Sequence, residues 1–432
     1  MLKSKDLLEE LRWRGLLNQT SGNLQDVLSN PTSFYIGIDG TAPSLGVHHT
    51  IGLMAARIMQ KYGHRPIILV GEATSSIGDP SGKSEERKAI SKETVAYNTQ
   101  CIIKQIKKFL DFDSKDENAP IIVNNLDWMK DYTFLDFIRD IGKKITVNYL
   151  MAKENVKKRL ERDGSGISFQ EFSYGLIQGY DFVHLYKEYG CKVQIGGSDN
   201  LGNILTGTEL IHKMLGKDDA CAITWDLVTC ADGRKFGKTE GNSVWLDREK
   251  TSPYEFYQFW INQSDVDSES FIKKFTLLPR EEIESLIEQH RKEPFKRLLQ
   301  KTLAEYMTCL VHSDKDFEMA VEASKILFGG ASEETIKKMD ENTVKSVFKD
   351  VPQFKVSREL LNNDVPFVDF AVDNNMFPSK GELRKLIKSG GISVNGLKVQ
   401  KPNATISNVD LIADKYILVK KGKQNYYLAI AE

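Results

Sequence analysis

The chain has 432 residues, 41% hydrophobic and 28% charged, a composition that excludes disordered and fibrous classes and leaves room for about two or three domains. Lys and Arg total 59 against 60 Asp and Glu, so the chain as a whole is not a basic nucleic-acid binder. The C-terminal end departs from that balance: from Ser379 to Glu432 ten Lys/Arg face four Asp/Glu, a local excess suited to an anionic partner.

Cys101, Cys191, Cys221, Cys230 and Cys309 are odd in number and contain no C-x-x-C pair, which argues against a disulfide framework or a structural zinc site; no metal site is expected. The N-terminal MLKSKDLLEELRWRG reads as an amphipathic helix of mixed charge, without the apolar segment of a secretory signal. No run approaches the ~20 apolar residues of a membrane span, and a cytoplasmic protein is expected.

From about Phe34 to Leu246 short β-branched runs alternate with helical patterns: FYIGI at 34–38, PIILV at 66–70, PIIVN at 120–124, KVQIG at 192–196 and AITWDL at 222–227. Strand then helix, repeated, predicts an α/β domain with a parallel sheet. In the first unit Ile51, Met54, Ala55, Ile58, Met59 and Tyr62 recur at helical spacing, and Gly63 stops the helix before Pro66. From Ser252 to about Phe348 helical patterns dominate. Residues 349–364 show little periodicity and read as a linker, and the remainder predicts a small α+β unit: a helix over 379–388, a glycine turn at 390–391, then strands in ISVNG, KYILVKKG and NYYLAI. The expected division is 1–248, 249–348, 349–364 and 365–432.

Five segments carry candidate chemistry. DGTAPSLGVHH at 39–49 joins the first strand to the first helix, where backbone N–H groups and the helix dipole favour anions. Capping polar residues are the competing reading there. SIGDPSGKS at 76–84 suggests a phosphate loop, but Gly78 and Gly82 enclose three residues where a Walker A loop needs four, so the segment taken alone reads first as a solvated turn and only second as a phosphate site. KFGKT at 235–239 places two lysines around a glycine in a cationic loop, which taken alone reads as a solvated loop. In FQEFSYGLIQGYDF, Phe172, Leu176, Ile177 and Tyr180 form an apolar face, while Tyr174, Gln178 and Asp181 recur at i, i+4, i+7 as a polar stripe that either meets a ligand or faces solvent. GGSDNLGN at 196–203 puts glycines at a strand end, where backbone can approach a ligand closely.

Taken in order, FYIGIDGTAPSLGVHH, IGDPSGKSEER, VNNLDWM, FSYGLIQGYDF, GGSDNLGN and KFGKTEG resemble a bacterial tyrosyl-tRNA synthetase of class I over essentially the whole chain. SKGELRKLIKSGGISVNG resembles the S4 RNA-binding domain. The resemblance implies a Rossmann-like parallel-sheet catalytic domain, then an α-helical anticodon-binding domain and an S4-like RNA-binding domain. It implies a homodimer that turns L-tyrosine and ATP into tyrosyl-adenylate and charges tRNA(Tyr), with Mg2+ accompanying ATP and no tightly bound cofactor. On this resemblance Tyr35 and Asp181 hold the phenol of tyrosine, Asp79, Asn124, Tyr174 and Gln178 its ammonium end, and Gln194 also belongs to the tyrosine-binding set. Asp39, Gly46, His49, Gly197, Asp199, Lys238 and Thr239 take the nucleotide, Thr41, Lys83, Arg87, Lys235 and Lys238 stabilise the leaving pyrophosphate, and His48 and His49 join these five as the expected catalytic residues. Lys380, Arg384, Lys385 and Lys388 contact tRNA.

The chain departs from the family pattern at named positions. Where the family reads His-Ile-Gly-His, this sequence reads Gly46, Val47, His48, His49. Gly40 stands for a proline, Glu72 and Ser75 for glycines, and Asn200 with Leu201 for a Gln-Trp pair. Two readings follow: an ordinary tyrosine-tRNA ligase, or a divergent paralogue acting as an RNA-binding or adenylate-forming accessory protein.

Overall fold

The computed structural model describes residues 4–78, 90–160, 167–239, 242–328, 333–349, 351–422 and 425–432. Its principal sheet has six strands: β1 (Gln19–Ser21), β2 (Ser33–Asp39), β3 (Arg65–Gly71), β4 (Ile121–Asn124), β5 (Cys191–Gly197) and β6 (Cys221–Trp225). Their order is β1-β6-β5-β2-β3-β4. β2 pairs in parallel with β3 and β5, β3 with β4, and β5 with β6; β1 alone runs antiparallel, on β6. The five runs expected as strands are the five parallel strands. The short polar β1 carries no pattern from which a strand could be read.

The chain leaves β2 in one direction and returns through β5 on its other side, so the carboxyl ends of β2 and β5 flank a topological switch point, where α/β sheets open a crevice. Register places Tyr35 opposite Gln194 across that line. Behind it the helix Thr50–Lys61 buries Ile51, Met54, Ala55, Ile58 and Met59 and ends at Tyr62, and Gly63 turns the chain at φ +93°. The 21-residue helix Phe169–Tyr189 begins at Ser168, whose hydroxyl caps the Glu171 N–H, and ends at the left-handed Gly190. It packs on the helix Leu201–Leu215, where Gly207 admits Phe182 so closely that a Cβ there would lie 2.8 Å from the ring. Tyr35, Ile67, Leu69, Tyr180, Phe182, Val183, Cys191 and Leu210 share one buried cluster under the crevice.

Two compact units emerge: residues to Leu246 together with Gln263–Leu303, and Asp247–Asn262 together with Ala304–Glu432. The helical stretch expected at 249–348 therefore contributes to both. The reason is visible at Arg14, buried in the first unit, whose guanidinium donates to the carbonyls of Lys273, Thr276 and Leu278 at 2.9, 2.7 and 2.7 Å. It thus satisfies carbonyls at the end of the helix Asp265–Phe275 that no helical N–H reaches.

In the second unit a five-stranded sheet runs Leu397–Lys398, Ile392–Val394, Tyr416–Lys421, Asn425–Ala431, Gln353–Val356. Gln353–Val356 lies within the stretch read as a linker, yet it pairs in parallel with Asn425–Ala431, and Leu361 beside it is fully buried. That stretch is thus part of the small domain. The expected helix is present as Lys380–Lys388, with Leu383 and Ile387 buried against Ile392, Ile417, Val419 and Ala429.

Candidate active site

The crevice is a cleft of about 300 Å³. Of the residues singled out from the sequence, Tyr35, Asp39, Thr41, His48, His49, Tyr174, Gln178, Asp181, Gln194, Gly197 and Asp199 line it. They come from the ends of β2 and β5, the first helical turn after β2, and one face of Phe169–Tyr189. The polar stripe thus faces the cleft, not solvent. Asp79, Lys83 and Arg87 lie outside the described residues, as does the side chain of Thr239.

At the deep end three polar atoms are buried without a hydrogen-bond partner: Tyr35 Oη, Gln178 Oε1 and Gln194 Oε1. Buried polar groups are nearly always paired, because an unmade hydrogen bond there costs about 1–3 kcal/mol. Three of them on one cleft mark a place built to be completed by a polar ligand. Asp181, 1% exposed, stands among them. Its Oδ2 accepts from Asn125 Nδ2 at 3.0 Å and its Oδ1 from Trp128 Nε1 at 2.9 Å. Burial pushes the Asp181 carboxyl up to about 7, the two donated hydrogen bonds pull it down, and the Asp39 charge adds a smaller rise. Burial also raises the Tyr35 phenol well above its ordinary range, with the neighbouring Asp181 charge contributing, so Tyr35 stays protonated.

A second set of bonds links that end to the middle of the cleft. Asn125 Nδ2 also donates to Thr74 Oγ1 (3.1 Å), Thr74 Oγ1 donates to Asp39 Oδ1 (2.7 Å), and Tyr174 Oη donates to Asp39 Oδ2 (3.0 Å). The Asn125 Oδ1 accepts the Ala73 N–H at 2.9 Å, which fixes the amide's orientation. One continuous network thus orients Asp181, Asp39 and Tyr174 before any ligand arrives.

This corrects one reading. Asn124 does not reach the cleft: it ends β4, its Oδ1 accepts the Leu126 N–H, and it lines a separate cavity with Trp128 and His184. Asn125, the next residue, is fully buried and does the orienting. Sequence reasoning also missed Thr74 and Trp128. The only available signal was that a buried carboxylate in the stripe requires donors from a neighbouring strand end, and VNNLDWM offered three.

At the other end the turn Val47–His49 leads into Thr50–Lys61. His49 Nδ1 lies 3.1 Å from the Gly46 N–H and 3.2 Å from the Gly46 carbonyl, so the backbone of residue 46 holds the imidazole in place. Gly46 itself pairs with Trp245 as an isolated bridge and does not line the cleft. Lys235 and Lys238 are exposed and flank two buried residues. Phe236 is clasped by Phe271 and Phe275 at centroid distances of 4.8 and 4.9 Å. Gly237, at φ +83°, lies so near Val47 that a Cβ would be 2.8 Å from its Cγ1. The cationic loop is therefore fastened on the turn that bears the two histidines.

In the small domain Arg384, Lys385 and Lys388 are exposed, whereas Lys380 pairs with Asp369 at 2.8 Å. Among the described residues no group of three His, Cys, Asp or Glu side chains could hold a metal ion, and no helix is long and apolar enough to cross a membrane.

Comparison with known proteins is consistent along the chain. Residues 28–329 match the family model for class I tRNA synthetases (W and Y), and residues 343–429 that for the tyrosine-tRNA ligase SYY-like C-terminal domain. A tyrosine-tRNA ligase of Bacteroides fragilis is 52% identical over 430 residues, covering 99% of this chain and 100% of its own. That of Flavobacterium johnsoniae is 48% identical over 427 residues, covering 98% and 99%. Among solved structures, a C-terminally truncated mitochondrial tyrosyl-tRNA synthetase of Aspergillus nidulans superposes with a TM-score of 0.67 at 29% identity, covering 74% of this chain and 94% of that one. A tyrosyl-tRNA synthetase of Archaeoglobus fulgidus shares the fold at a TM-score of 0.52 and 17% identity, covering 73% and 100%.

Proposed function

Because the chain belongs to the class I tRNA synthetases and matches their tyrosine-tRNA ligases along its whole length, we propose that its cleft activates L-tyrosine with ATP and that the chain charges tRNA(Tyr) at the 3′ end. The observation that carries this is the cluster of buried, unpartnered Tyr35 Oη, Gln178 Oε1 and Gln194 Oε1 around Asp181. An aromatic side chain with a hydroxyl tip fits it. The phenol hydroxyl donates to the Asp181 carboxylate and accepts from Tyr35, and a phenylalanine ring would leave both unsatisfied.

In this reading Tyr174, Gln178 and Asp79 hold the ammonium group, with Asn125 rather than Asn124 as the residue that orients the network. Asp39, His49, Gly197, Asp199, Lys238 and Thr239 receive the nucleotide, which brings Mg2+ as its counter-ion. The tyrosine carboxylate oxygen bonds to the α-phosphorus, the bridging P–O bond breaks, and pyrophosphate leaves with the electron pair. No proton need move, so the work is positioning and charge stabilisation, supplied by Thr41, His48, Lys83, Arg87, Lys235 and Lys238.

The residues after 249 are assigned to the anticodon arm, and the S4-like unit to tRNA phosphates through Arg384, Lys385 and Lys388, with Lys380 exchanging its aspartate partner for phosphate. Leu126, Phe134, Leu135, Ile138, Val147 and Met151 are exposed apolar residues close together in sequence, and they support a homodimer. We place the enzyme in the cytoplasm. The accessory-protein reading gains nothing from relatives that are themselves tyrosine-tRNA ligases over the same length. Charging of a tRNA(Tyr) transcript with labelled tyrosine tests the proposal: tyrosylation dependent on ATP is expected, and tRNA binding without charging would overturn it.

A further inference from the structure

We propose that His48 supplies, from two residues further along the chain, the imidazole that would otherwise project from position 46, so that Gly46 and His48 are one functional exchange. Gly46 has φ −78° and ψ 157°, an ordinary extended backbone open to any residue. Its conformation does not demand glycine. The space is taken instead by a side chain: a Cβ on Gly46 would lie 2.7 Å from His48 Cε1 and 2.8 Å from His48 Nδ1, so the exposed His48 ring would have to swing away to admit one. The His48 ring has folded back over the residue 46 backbone and occupies the volume that a side chain there would enter.

That volume is well placed for charge stabilisation. His48 lines the cleft, and its ring lies 4.0 Å from that of His49. From the other side Gly237 of the lysine loop closes on it, since a Cβ on Gly237 would be 3.5 Å from His48 N and 3.6 Å from His48 Cβ. His48 thus stands at the start of a helix, where negative charge is favoured, against the backbone of the loop that carries Lys235 and Lys238. On the ligase reading, on which this rests, the charge that grows there is that of the departing pyrophosphate. His48 donates a hydrogen bond to it and transfers no proton. The order Gly46, Val47, His48, His49 is then a rearranged donor set that keeps both imidazoles.

The test compares tyrosine-dependent pyrophosphate exchange into ATP, and tyrosine affinity, in the unsubstituted enzyme, His48→Ala, His48→Gln, Gly46→His and the double variant Gly46→His/His48→Gly. His48→Ala is expected to lose about 10²–10³-fold in exchange rate, the usual cost of one preorganised donor, with tyrosine affinity unchanged. His48→Gln, which keeps an N–H, should fall between. Gly46→His alone should be slower than the unsubstituted enzyme, because two side chains contest one space, and the double variant should recover most of the rate. Full activity of His48→Ala, loss of tyrosine binding along with its rate, or a double variant no better than Gly46→His would overturn the proposal. Absence of exchange in the unsubstituted enzyme would overturn the ligase reading as well.

Discussion

The backbone N–H of Gly40 donates to Ser75 Oγ at 2.7 Å, and that hydroxyl in turn donates to the Gly71 carbonyl. Both positions depart from the family pattern, in which residue 40 is proline and residue 75 glycine. The bond links the two positions directly. Proline has no N–H to give, so a serine hydroxyl opposite it would lack a donor, whereas glycine supplies one. The Gly40 carbonyl is also held, by Asn98 Nδ2 at 2.9 Å, and a side chain at 40 would come within 3.0 Å of Thr99 Oγ1. The two exchanges therefore tie the loop after β2 to the short helix Glu72–Ile77, which carries Thr74.

Ser75→Ala should lower stability by about 1–3 kcal/mol, since it strands a buried amide. Gly40→Pro should also destabilise, and the double variant should cost less than the sum of the two, because each deletes the same bond. Thermal unfolding of the four proteins measures this. Strict additivity would mean that the bond couples nothing.

Tyrosine binding should depend on pH through Asp181. Its carboxyl titrates near 7 in the empty cleft, raised by burial. A phenol that donates to it favours the ionised form, so binding draws the carboxyl down and releases a proton. Affinity is then complete above pH 7 and weakens as pH falls through 7, approaching tenfold per unit. Calorimetric titration between pH 5.5 and 8 should show this slope, and Asp181→Asn should abolish it. Trp128→Phe, which removes one donor to the carboxylate, should move the midpoint upward. A wild-type affinity that is flat over this range would contradict the role given to Asp181.

Phe236 fastens the lysine loop, with its ring stacked on Phe275 at an interplanar angle of 19° and packed edge-on to Phe271 at 65°. Phe236→Ala should therefore reduce the rate of adenylate formation by misplacing Lys235 and Lys238, while tyrosine affinity stays as it was. Single-turnover kinetics separate the two. A loss of tyrosine affinity with no change in rate would show that the ring serves the wrong end of the cleft.

Much of the catalytic fold was legible because its signals are local. The five β-branched runs, the helix ending at Gly63 and the polar stripe of Tyr174, Gln178 and Asp181 each follow from spacing alone. What escaped depends on contacts distant in sequence. Asn124 and Asn125 are neighbours of identical chemistry, and only the end of β4 decides which one turns inward. Gln353–Val356 has no strand pattern of its own and becomes a strand because Asn425–Ala431 offers it an edge. Arg14 reaches carbonyls more than 250 residues away, at Lys273, Thr276 and Leu278, a link that no window of sequence contains. The space over Gly46 is likewise invisible until the His48 ring is seen to fill it.

The central claim is that a deep cleft closed by Tyr35 and Asp181 selects a phenol, and the most direct measurement is kcat/KM for tyrosine and phenylalanine in pyrophosphate exchange, with and without Tyr35→Phe. The wild-type protein should strongly prefer tyrosine, and the variant should lose about 10–100-fold of that preference, the cost of one unmade hydrogen bond in a buried site. Equal use of both amino acids by the wild type, or an undiminished preference in the variant, would contradict the account.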